Sequence, residues 1–300
     1  MGSSCLTSTE PAKGHSLLKY KEIFLGNGSC NNKCLHCLIG KKDQSRPDLN
    51  EILDSLQETN ADNVMFYGGE PTLRSDLPEI IRAARENGYR RIKLLTNGRA
   101  FSNIQLLQDI INAGCYLFDI ELWGSNPSLH DHLTRVPGSF WETMSGLENL
   151  AGHPHEKFVS LRVHVCKENY PDIENAVATA LNFGVNRMIL SVQDDTLPFQ
   201  SAMPHIRNAI NISIFNRTWI LTEFVPFCVM QGLEQHISEI YSGLNTIYEK
   251  TFSKHKYCVE CIYNELCRGF ESKYLEHFGH REFSPVKASK YLQDIRKLYE

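Results

Sequence analysis

Three cysteines lie close together near the start of the chain, at Cys30, Cys34 and Cys37. Thiolates at this spacing are ligands for zinc ions and iron–sulfur clusters. A structural zinc site needs a fourth ligand, and His36 lies between two of the cysteines, where reaching the same metal would strain the loop. Three protein ligands leave one metal position open for a cofactor or substrate, which is typical of catalysis. A zinc knuckle, or unrelated thiols, is the alternative.

A second group of cysteines lies near the end of the chain, at Cys258, Cys261 and Cys267. A closed metal site needs a fourth ligand, and the best candidate is the upstream Cys228, with His255 as a possible substitute. A zinc ribbon is the alternative interpretation.

Two glycine-containing segments also carry groups suited to ligand binding. Gly68 and Gly69 allow a ligand to approach the backbone, and Glu70, before Pro71, supplies an anion that can pair with an ammonium group. Asn97 ends another β-rich run in an Asn-Gly turn. An ordinary strand-to-helix turn is the alternative for the Gly-Gly segment, and a simple turn is the alternative for Asn97-Gly98.

Polar residues interrupt two later apolar runs. Glu121 ends one run, and Arg162 and His164 alternate with apolar residues in the next. Period-two alternation places both side chains on one face of a strand. If that face lines the ligand site, Arg162 could meet a carboxylate and His164 a substrate; otherwise both are structural. Gln193 and Asp194 are weaker candidates of the same kind.

Short β-rich runs alternate with helical patterns over most of the chain. Six strand–helix units predict right-handed βαβ connections and a parallel sheet. Six units are too few for an eight-stranded barrel, so we predict an α/β fold with an open, partial (β/α)6 barrel, with ligands at the carboxyl ends of the strands. The predicted strands are Tyr20–Leu25, Asn63–Tyr67, Arg91–Thr96, Tyr116–Leu122, Val159–Val165 and Arg187–Val192, and the predicted helices are Asn50–Thr59, Leu77–Asn87, Asn103–Ala113, Phe140–Leu150 and Pro171–Phe183.

The alternation stops after residue 198. We therefore predict a flexible tail over residues 1–18, the barrel over 19–198 and a small C-terminal domain over 199–300. The last part contains the strand-like Thr218–Val225, helical patterns around 233–242 and 289–298, and the second cysteine group.

Charge and hydropathy exclude several classes of partner. The formal net charge is −4, which argues against nucleic acid or an anionic membrane. No apolar run approaches the roughly 20 residues of a membrane span, and the first residues lack the apolar core of a secretory signal, so we expect a soluble cytoplasmic protein. The chain has ten cysteines, and in a reducing compartment such residues more often bind metal than form disulfides. The basic residues Arg85, Arg90, Arg91, Lys93 and Arg99 are interpreted as solvated surface.

Cys-x3-Cys-x2-Cys after the first strand, followed one βα unit later by Gly-Gly-Glu-Pro, resembles the signature of the radical S-adenosylmethionine (SAM) superfamily. The resemblance implies that Cys30, Cys34 and Cys37 ligate a 4Fe–4S cluster, with the fourth iron chelated by the amino and carboxylate groups of SAM. It implies that the Gly-Gly-Glu-Pro segment binds the SAM amino group. His36 stands where the family often has an aromatic residue whose backbone meets the adenine.

The resemblance continues along the predicted barrel. Thr-Asn-Gly at Asn97 matches a family segment whose polar side chains face cofactor or substrate. Glu121 and Trp123 replace the usual Ser and Asp of a Ser-Leu-Asp-Gly segment, and Glu121 could still accept hydrogen bonds from ribose hydroxyls. His130 and Asp131 match a trailing His-Asp pair, for which helix capping is the alternative.

The second cysteine group resembles the auxiliary-cluster appendages of the same superfamily. The longer SPASM pattern continues with another cysteine where this chain has Glu271, so the shorter "twitch" type is the better match. It implies an auxiliary 4Fe–4S cluster on Cys228, Cys258, Cys261 and Cys267 that transfers an electron.

The implied activity is reductive cleavage of SAM to a 5′-deoxyadenosyl radical, which abstracts hydrogen from a substrate. An external electron donor such as flavodoxin or ferredoxin is implied, and the reaction is of oxidoreductase, lyase or isomerase type. The substrate is expected to be a small molecule, or a peptide presented by a separate partner. A zinc-stabilised binding protein and a non-catalytic iron–sulfur electron carrier are the alternatives.

Overall fold

Seven parallel strands form one sheet in which the spatial order follows the chain order. The computed structural model describes residues 20–26, 30–37, 47–57, 61–242 and 251–296, so the predicted tail over residues 1–18 lies outside the described residues. The strands are β1 (Tyr20–Phe24), β2 (Asn63–Tyr67), β3 (Arg91–Thr96), β4 (Leu117–Leu122), β5 (Phe158–Val165), β6 (Arg187–Val192) and β7 (Trp219–Glu223).

Helices connect the strands and cover one face of the sheet. Most of these helices bury an apolar stripe against the strands; the helix over Leu77–Glu86, for example, buries Leu77, Ile80, Ile81 and Ala84. The helices are α1 (Leu49–Gln57), α2 (Leu77–Glu86), α3 (Ile104–Ala113), α4 (Pro127–Thr134), α5 (Ser139–Gly152), α6 (Ile173–Asn182) and α7 (Phe199–Phe215). None of the helices in the described part of the chain is long and apolar enough to cross a membrane.

The predicted α/β fold class is confirmed, and the sheet is one strand larger than predicted. The strand-like run near residue 220 forms β7, which pairs in parallel with β6 from Arg187↔Trp219 onward. The helix that connects them, α7, was not predicted, because Pro204 lies inside it and proline ordinarily interrupts a helix. The alternation of strands and helices therefore continues past residue 198.

The C-terminal residues form small elements that pack on the sheet. Two short strands, β8 (Phe252–Ser253) and β9 (Phe270–Glu271), pair antiparallel. The helices here are α8 (Glu239–Ser242), α9 (Ser272–Phe278) and α10 (Leu292–Arg296), so the helices at the two patterns predicted in this region, 233–242 and 289–298, begin later than predicted. A hydrogen bond joins α9 to the start of α7, where Phe199 N donates to Tyr274 Oη at 3.0 Å.

The sheet is open, because β1 and β7 stand at its two ends. Aromatic side chains from both ends meet on the face away from the connecting helices. Phe224, which follows β7, packs in one cluster with Met65 and Leu95, and Tyr20 of β1, Tyr67 and Phe252 pack against it. Side-chain packing therefore joins the two ends of the sheet within the described residues.

Candidate functional site

The loop of residues 30–37 is attached to the end of α4 by backbone hydrogen bonds. Lys33 N donates to Thr134 O at 2.9 Å, and Leu35 N donates to Leu133 O at 2.8 Å. Cys37 N donates to Cys34 O at 3.2 Å, which closes a turn within the loop. These contacts fix three thiols beside the carboxyl ends of the strands.

The environment of the thiols disfavours bare thiolates. Burial raises the pKa of Cys30 to about 12, and the charges of Glu70, Glu121 and Cys37 add to the effect. Burial also raises the pKa of Cys34, with Glu121, Cys37 and Cys30 contributing. Half-buried thiols that repel one another as anions fit a cationic metal centre, which would supply the missing positive charge. The donor set therefore suits a cluster held by three cysteines.

The turn after β2 requires its two glycines. Gly68 and Gly69 have φ values of +101° and +58°, in the left-handed region. A Cβ on Gly68 would lie 2.4 Å from the ring of Phe24, so no side chain fits there. This conformation delivers Glu70 and Pro71 to the carboxyl end of the sheet, and Pro71 begins a 3-10 turn that ends at Leu73.

Glu70 is a buried carboxylate that joins β2 to β3. Its Oε1 accepts hydrogen bonds from Thr72 N at 3.0 Å, Thr72 Oγ1 at 2.6 Å and Thr96 Oγ1 at 2.6 Å. Its Oε2 accepts from Asn97 N at 2.8 Å. Burial raises the pKa of Glu70, and these donors oppose that effect. A cation near Oε2 would favour the charged form further.

Asn97 connects this carboxylate to the cysteine loop. Its Nδ2 donates to Asn31 Oδ1 at 2.7 Å and lies 3.8 Å from Cys30 Sγ. The structure thus brings the predicted residues Cys30, Glu70 and Asn97 into one connected group.

The interpretation of Arg99 as solvated surface is wrong. Its side chain is buried, and Nη1 donates to the carbonyl oxygen of Asn31 and to Asn32 Oδ1, the latter at 2.8 Å. Nε donates to Glu142 at 2.7 Å. The sequence offered one signal, the position of Arg99 directly after the Asn-Gly turn, but its partners come from distant segments.

Trp123 connects the cysteine loop to the sheet through two ring contacts. It stacks on His164 of β5 with centroids 4.5 Å apart and on His36 of the loop with centroids 6.4 Å apart. His164 Nε2 lies 2.8 Å from Glu121 Oε1. Burial would raise the pKa of Glu121, but His164 and then Arg162 outweigh it and hold the pKa below its usual value. The contact with His164 therefore orients the Glu121 carboxylate as a hydrogen-bond acceptor.

His36 also contacts the segment after β5. Its Nε2 lies 2.9 Å from Glu168 Oε2, and Cys166 places its ligand atom within 4.8 Å of both. Asp194 stabilises the same region, since it accepts a hydrogen bond from Lys167 N at 2.8 Å.

Arg162 lies on the inner face of the sheet, in a network of buried charges. It pairs with Glu223 of β7, and its Nη2 lies 3.5 Å from Asp119 Oδ2. Burial would raise the pKa of Asp119, but Lys93 and Arg162 hold it below its usual value. The sequence did not identify Asp119 and Glu223, because nothing local distinguishes a buried ion pair from a surface carboxylate.

The alternative of helix capping holds for Asp131. Its carboxylate accepts from Gly138 N at 2.6 Å and Phe140 N at 2.8 Å, at the start of α5. His130 is buried behind it, and burial lowers its pKa to about 4.

The second cysteine group converges on one pocket. Cys228, Cys258, Cys261 and Cys267 all line it, together with Phe270 and Phe283 of the C-terminal segment. Burial raises the pKa of Cys228 to about 11, and the charges of the other three thiolates add to the effect. The donor set of four thiols fits a closed metal centre.

Local structure beside Cys267 supports this convergence. Gly269 N donates to Cys267 Sγ at 3.3 Å, and a Cβ on Gly269 would lie 2.2 Å from Ser253 O. His255, the possible substitute ligand, caps the turn before Cys258, and its ring packs on Phe283 with centroids 5.2 Å apart.

Comparison with known proteins gives consistent relatives. The AdoMet-dependent heme synthase of Oleidesulfovibrio alaskensis is 30% identical over 162 residues, which cover 52% of this chain and 41% of that protein. The mycofactocin maturase MftC of Mycolicibacterium smegmatis is 31% identical over 172 residues, which cover 54% of this chain and 41% of the relative. The chain thus spans about two fifths of the length of these relatives.

Solved structures share the fold at low sequence identity. The structure of anSMEcpe with bound AdoMet and a Kp18Cys peptide superposes with a TM-score of 0.62 at 14% identity, covering 94% of this chain and 96% of that one. Streptococcus suis SuiB bound to S-adenosylmethionine superposes with a TM-score of 0.54 at 14% identity, covering 69% of this chain and 47% of that chain.

The family model described as the radical SAM superfamily matches residues 27–180, slightly more than half of the chain. The match includes the loop with Cys30, Cys34 and Cys37 and the turn with Glu70. The chain therefore belongs to the radical SAM superfamily of enzymes, which bind SAM and a 4Fe–4S cluster.

Proposed function

We propose that this enzyme cleaves SAM reductively to start hydrogen abstraction from a peptide or small-molecule substrate, with a second 4Fe–4S cluster that transfers an electron. The observation that carries the proposal is the convergence of two separate sets of thiols, one of three and one of four. We assign the set of three thiols to a barrel domain over residues 19–198 and the set of four thiols to a C-terminal domain over residues 199–300. The C-terminal part also contributes β7, the last strand of the sheet.

At the first site, Cys30, Cys34 and Cys37 would hold the 4Fe–4S cluster, and the set of three cysteines would leave room for SAM as the remaining ligand. When bound, these groups supply a 5′-deoxyadenosyl radical that abstracts hydrogen from the substrate. Backbone donation from Asn32 N to Cys30 Sγ at 3.3 Å partly balances the thiolate charge. The attachment of the loop to α4 holds the cysteines at the carboxyl ends of the strands.

Glu70 is suited to the amino group of SAM. Three donors occupy Oε1, whereas Oε2 accepts one hydrogen bond, from Asn97 N, and so keeps acceptor capacity. Gly68, Gly69 and Pro71 shape the turn that presents this oxygen.

Neighbouring side chains are suited to the rest of the cofactor. Glu121, oriented by His164, would accept hydrogen bonds from ribose hydroxyls, and the backbone of His36 would meet the adenine. Asn97 orients the cysteine loop. Arg162 balances the negative charges of Asp119 and Glu223 on the inner face of the sheet, because its guanidinium is paired with both carboxylates.

At the second site, Cys228, Cys258, Cys261 and Cys267 hold an auxiliary cluster of the twitch type. A set of four thiolates closes the site, which favours electron transfer over direct ligation of substrate. A net oxidation or a rearrangement is consistent with this role.

The substrate class is supported by similarity only. One relative is named a maturase, and one fold neighbour was solved with a bound peptide, which favours a peptide. Another relative is named a heme synthase, so a small-molecule substrate is the alternative. A zinc-stabilised binding protein and a non-catalytic electron carrier are the competing functions.

Anaerobic purification tests the proposal. About eight irons per chain, as two four-iron clusters require, and release of 5′-deoxyadenosine from SAM after reduction with dithionite are the expected results. Reduced flavodoxin or ferredoxin is expected to replace dithionite. Zinc without nucleoside release would establish the binding protein, and iron without nucleoside release in the presence of substrate candidates would favour the carrier.

A further inference from the structure

The surface over the second cysteine site carries a small apolar patch beside one of the proposed ligands. A 3-10 turn over Lys256–Glu260 contains Cys258, and its neighbours Tyr257 and Val259 are 51% and 77% exposed. These are the only large hydrophobic side chains that are exposed among the described residues 251–296. Their position on both sides of one ligand distinguishes them from isolated exposed residues, which are common.

The charges around this patch differ from the charge of the whole chain. Lys254 and Lys256 are exposed on one side, and Lys287 pairs with Glu260 on the other. Glu265 is the other exposed acidic residue in the turn between the cysteines. Three lysines against two glutamates give a local positive excess, whereas the chain as a whole carries a formal charge of −4. The charge of the patch therefore favours an acidic partner, whereas the net charge of the chain does not.

The patch adjoins the cysteine pocket. Cys258 and Cys261 are half-buried and line this pocket, so the turn that carries Tyr257 and Val259 also contributes a proposed ligand. Lys254 lines the same pocket and also belongs to the basic rim.

We propose that this surface, which we call the Cys258 patch (Lys254, Lys256, Tyr257, Val259 and Lys287), docks a small acidic one-electron carrier protein. The carrier would present an apolar spot surrounded by carboxylates. Electron-transfer complexes are commonly weak and bury less than about 1,200 Å², so two apolar side chains within a charged rim are sufficient. The carrier loses one electron as the auxiliary cluster gains it, or the reverse, and no bond forms or breaks.

This inference rests on the proposed function, because it requires the auxiliary cluster. Holoenzyme is first assayed for iron. A chain that holds only one cluster, with the four C-terminal thiols unoccupied, would refute the auxiliary cluster and the docking surface together. With both clusters present, the docking surface is tested separately.

The probe is flavodoxin, and the variant is Val259→Glu. Its affinity for holoenzyme is measured by flavin fluorescence, and the rate of electron transfer by stopped-flow absorbance. We expect about tenfold weaker association for Val259→Glu, a smaller loss for Lys287→Glu, and weakening of wild-type binding with added salt. Reduction by dithionite, which needs no docking surface, is expected to be unchanged.

Phe215→Glu is the matched control, since Phe215 is 88% exposed at the far end of α7. Iron content must equal that of wild type in each variant. Val259→Glu holoenzyme that binds and accepts electrons from flavodoxin like wild type would overturn the docking surface and leave the proposed function intact.

Discussion

Arg99 Nη1 lies 2.8 Å from Asn32 Oδ1, so the turn after β3 holds the cysteine loop through a buried guanidinium. The same side chain donates to the carbonyl oxygen of Asn31 and to Glu142. Arginine can make these contacts together because its five N–H groups form a planar fork. The position of the cysteine loop therefore depends on a residue that lies outside the loop and is not one of the proposed ligands.

Replacing Arg99 should weaken cluster retention without unfolding the protein. Arg99→Lys keeps the charge but cannot make the forked contacts, which costs about 1–3 kcal/mol. Iron per chain after anaerobic reconstitution should fall at the first site, and the melting temperature should drop modestly. Arg90→Lys, at an exposed position, should retain as much iron as wild type. Wild-type iron in Arg99→Lys would show that the cysteine loop keeps its position without the contacts of Arg99.

Glu70→Gln should weaken SAM binding more than it weakens the fold. The substitution removes the negative charge and turns one acceptor into a donor, and loss of a charge-assisted contact costs about 1.5–3 kcal/mol. The dissociation constant for SAM, measured by calorimetry on cluster-loaded enzyme, should rise by at least about tenfold. Glu79→Gln, on the exposed side of α2, is the control. Unchanged SAM affinity in Glu70→Gln would remove Glu70 from the cofactor site.

Gly68→Ala should destabilise the fold by contact with Phe24. Gly88 provides a control for backbone strain alone, because its φ of +89° is similar but a Cβ added there would meet no atom within 4 Å. Overpacking adds about 1–3 kcal/mol to the cost for Gly68. Urea unfolding should show this difference between Gly68→Ala and Gly88→Ala, and equal losses in the two variants would mean that the ring of Phe24 moves aside freely.

Cys228→Ala should remove one cluster and leave the other. The four C-terminal thiols share one pocket, and loss of a ligand should reduce iron by about four atoms per chain. Cys115→Ala is the control, since Cys115 is buried in the core and away from both sites. Iron content after reconstitution decides the result, and wild-type iron in Cys228→Ala would identify another fourth ligand.

Glu239 should make the folded state less stable as the pH rises. Burial, and then the charge of Glu223, raise its pKa from 4.5 to about 7, while Arg268 opposes the shift. Between pH 4.5 and about pH 7, Glu239 of the folded chain holds a proton that the unfolded chain has released. The free energy of unfolding therefore falls by roughly 3 kcal/mol as the pH rises across this range.

The measurement is the free energy of unfolding of wild type and Glu239→Gln between pH 4.5 and pH 8. The variant should lose less stability over this range, and Glu276→Gln, at an exposed position, should follow wild type. Parallel curves for Glu239→Gln and wild type would contradict the assignment.

Much of the fold could be predicted because buried parallel strands appear as short apolar runs. The runs that became β2 and β3 have the predicted bounds, since both are bordered by turn residues. The helix α7 could not be predicted in the same way, because the tertiary packing of its apolar face outweighs the cost of Pro204.

The two cysteine groups could be recognised in the sequence, and the residues that support them could not. Thiols at a fixed spacing indicate metal binding whatever surrounds them. Arg99, Asp119 and Glu223 carry charges that are ordinarily solvated, and their burial is decided by partners that lie far away in the chain. The residues next to Arg99, Asp119 and Glu223 in the sequence therefore do not indicate which partners they contact.

The aromatic cluster of Phe224, Phe252 and Tyr20 has a mechanical consequence for the open sheet. A closed barrel can widen only if a ladder of backbone hydrogen bonds breaks. Here the two border strands are joined by rings, and rings can rotate apart while each strand keeps its existing partner. Separating the two border strands therefore costs side-chain contacts, namely the apolar packing and the cations of Lys93 and Arg268 over the rings of Tyr20 and Phe252, and no backbone hydrogen bond of the sheet.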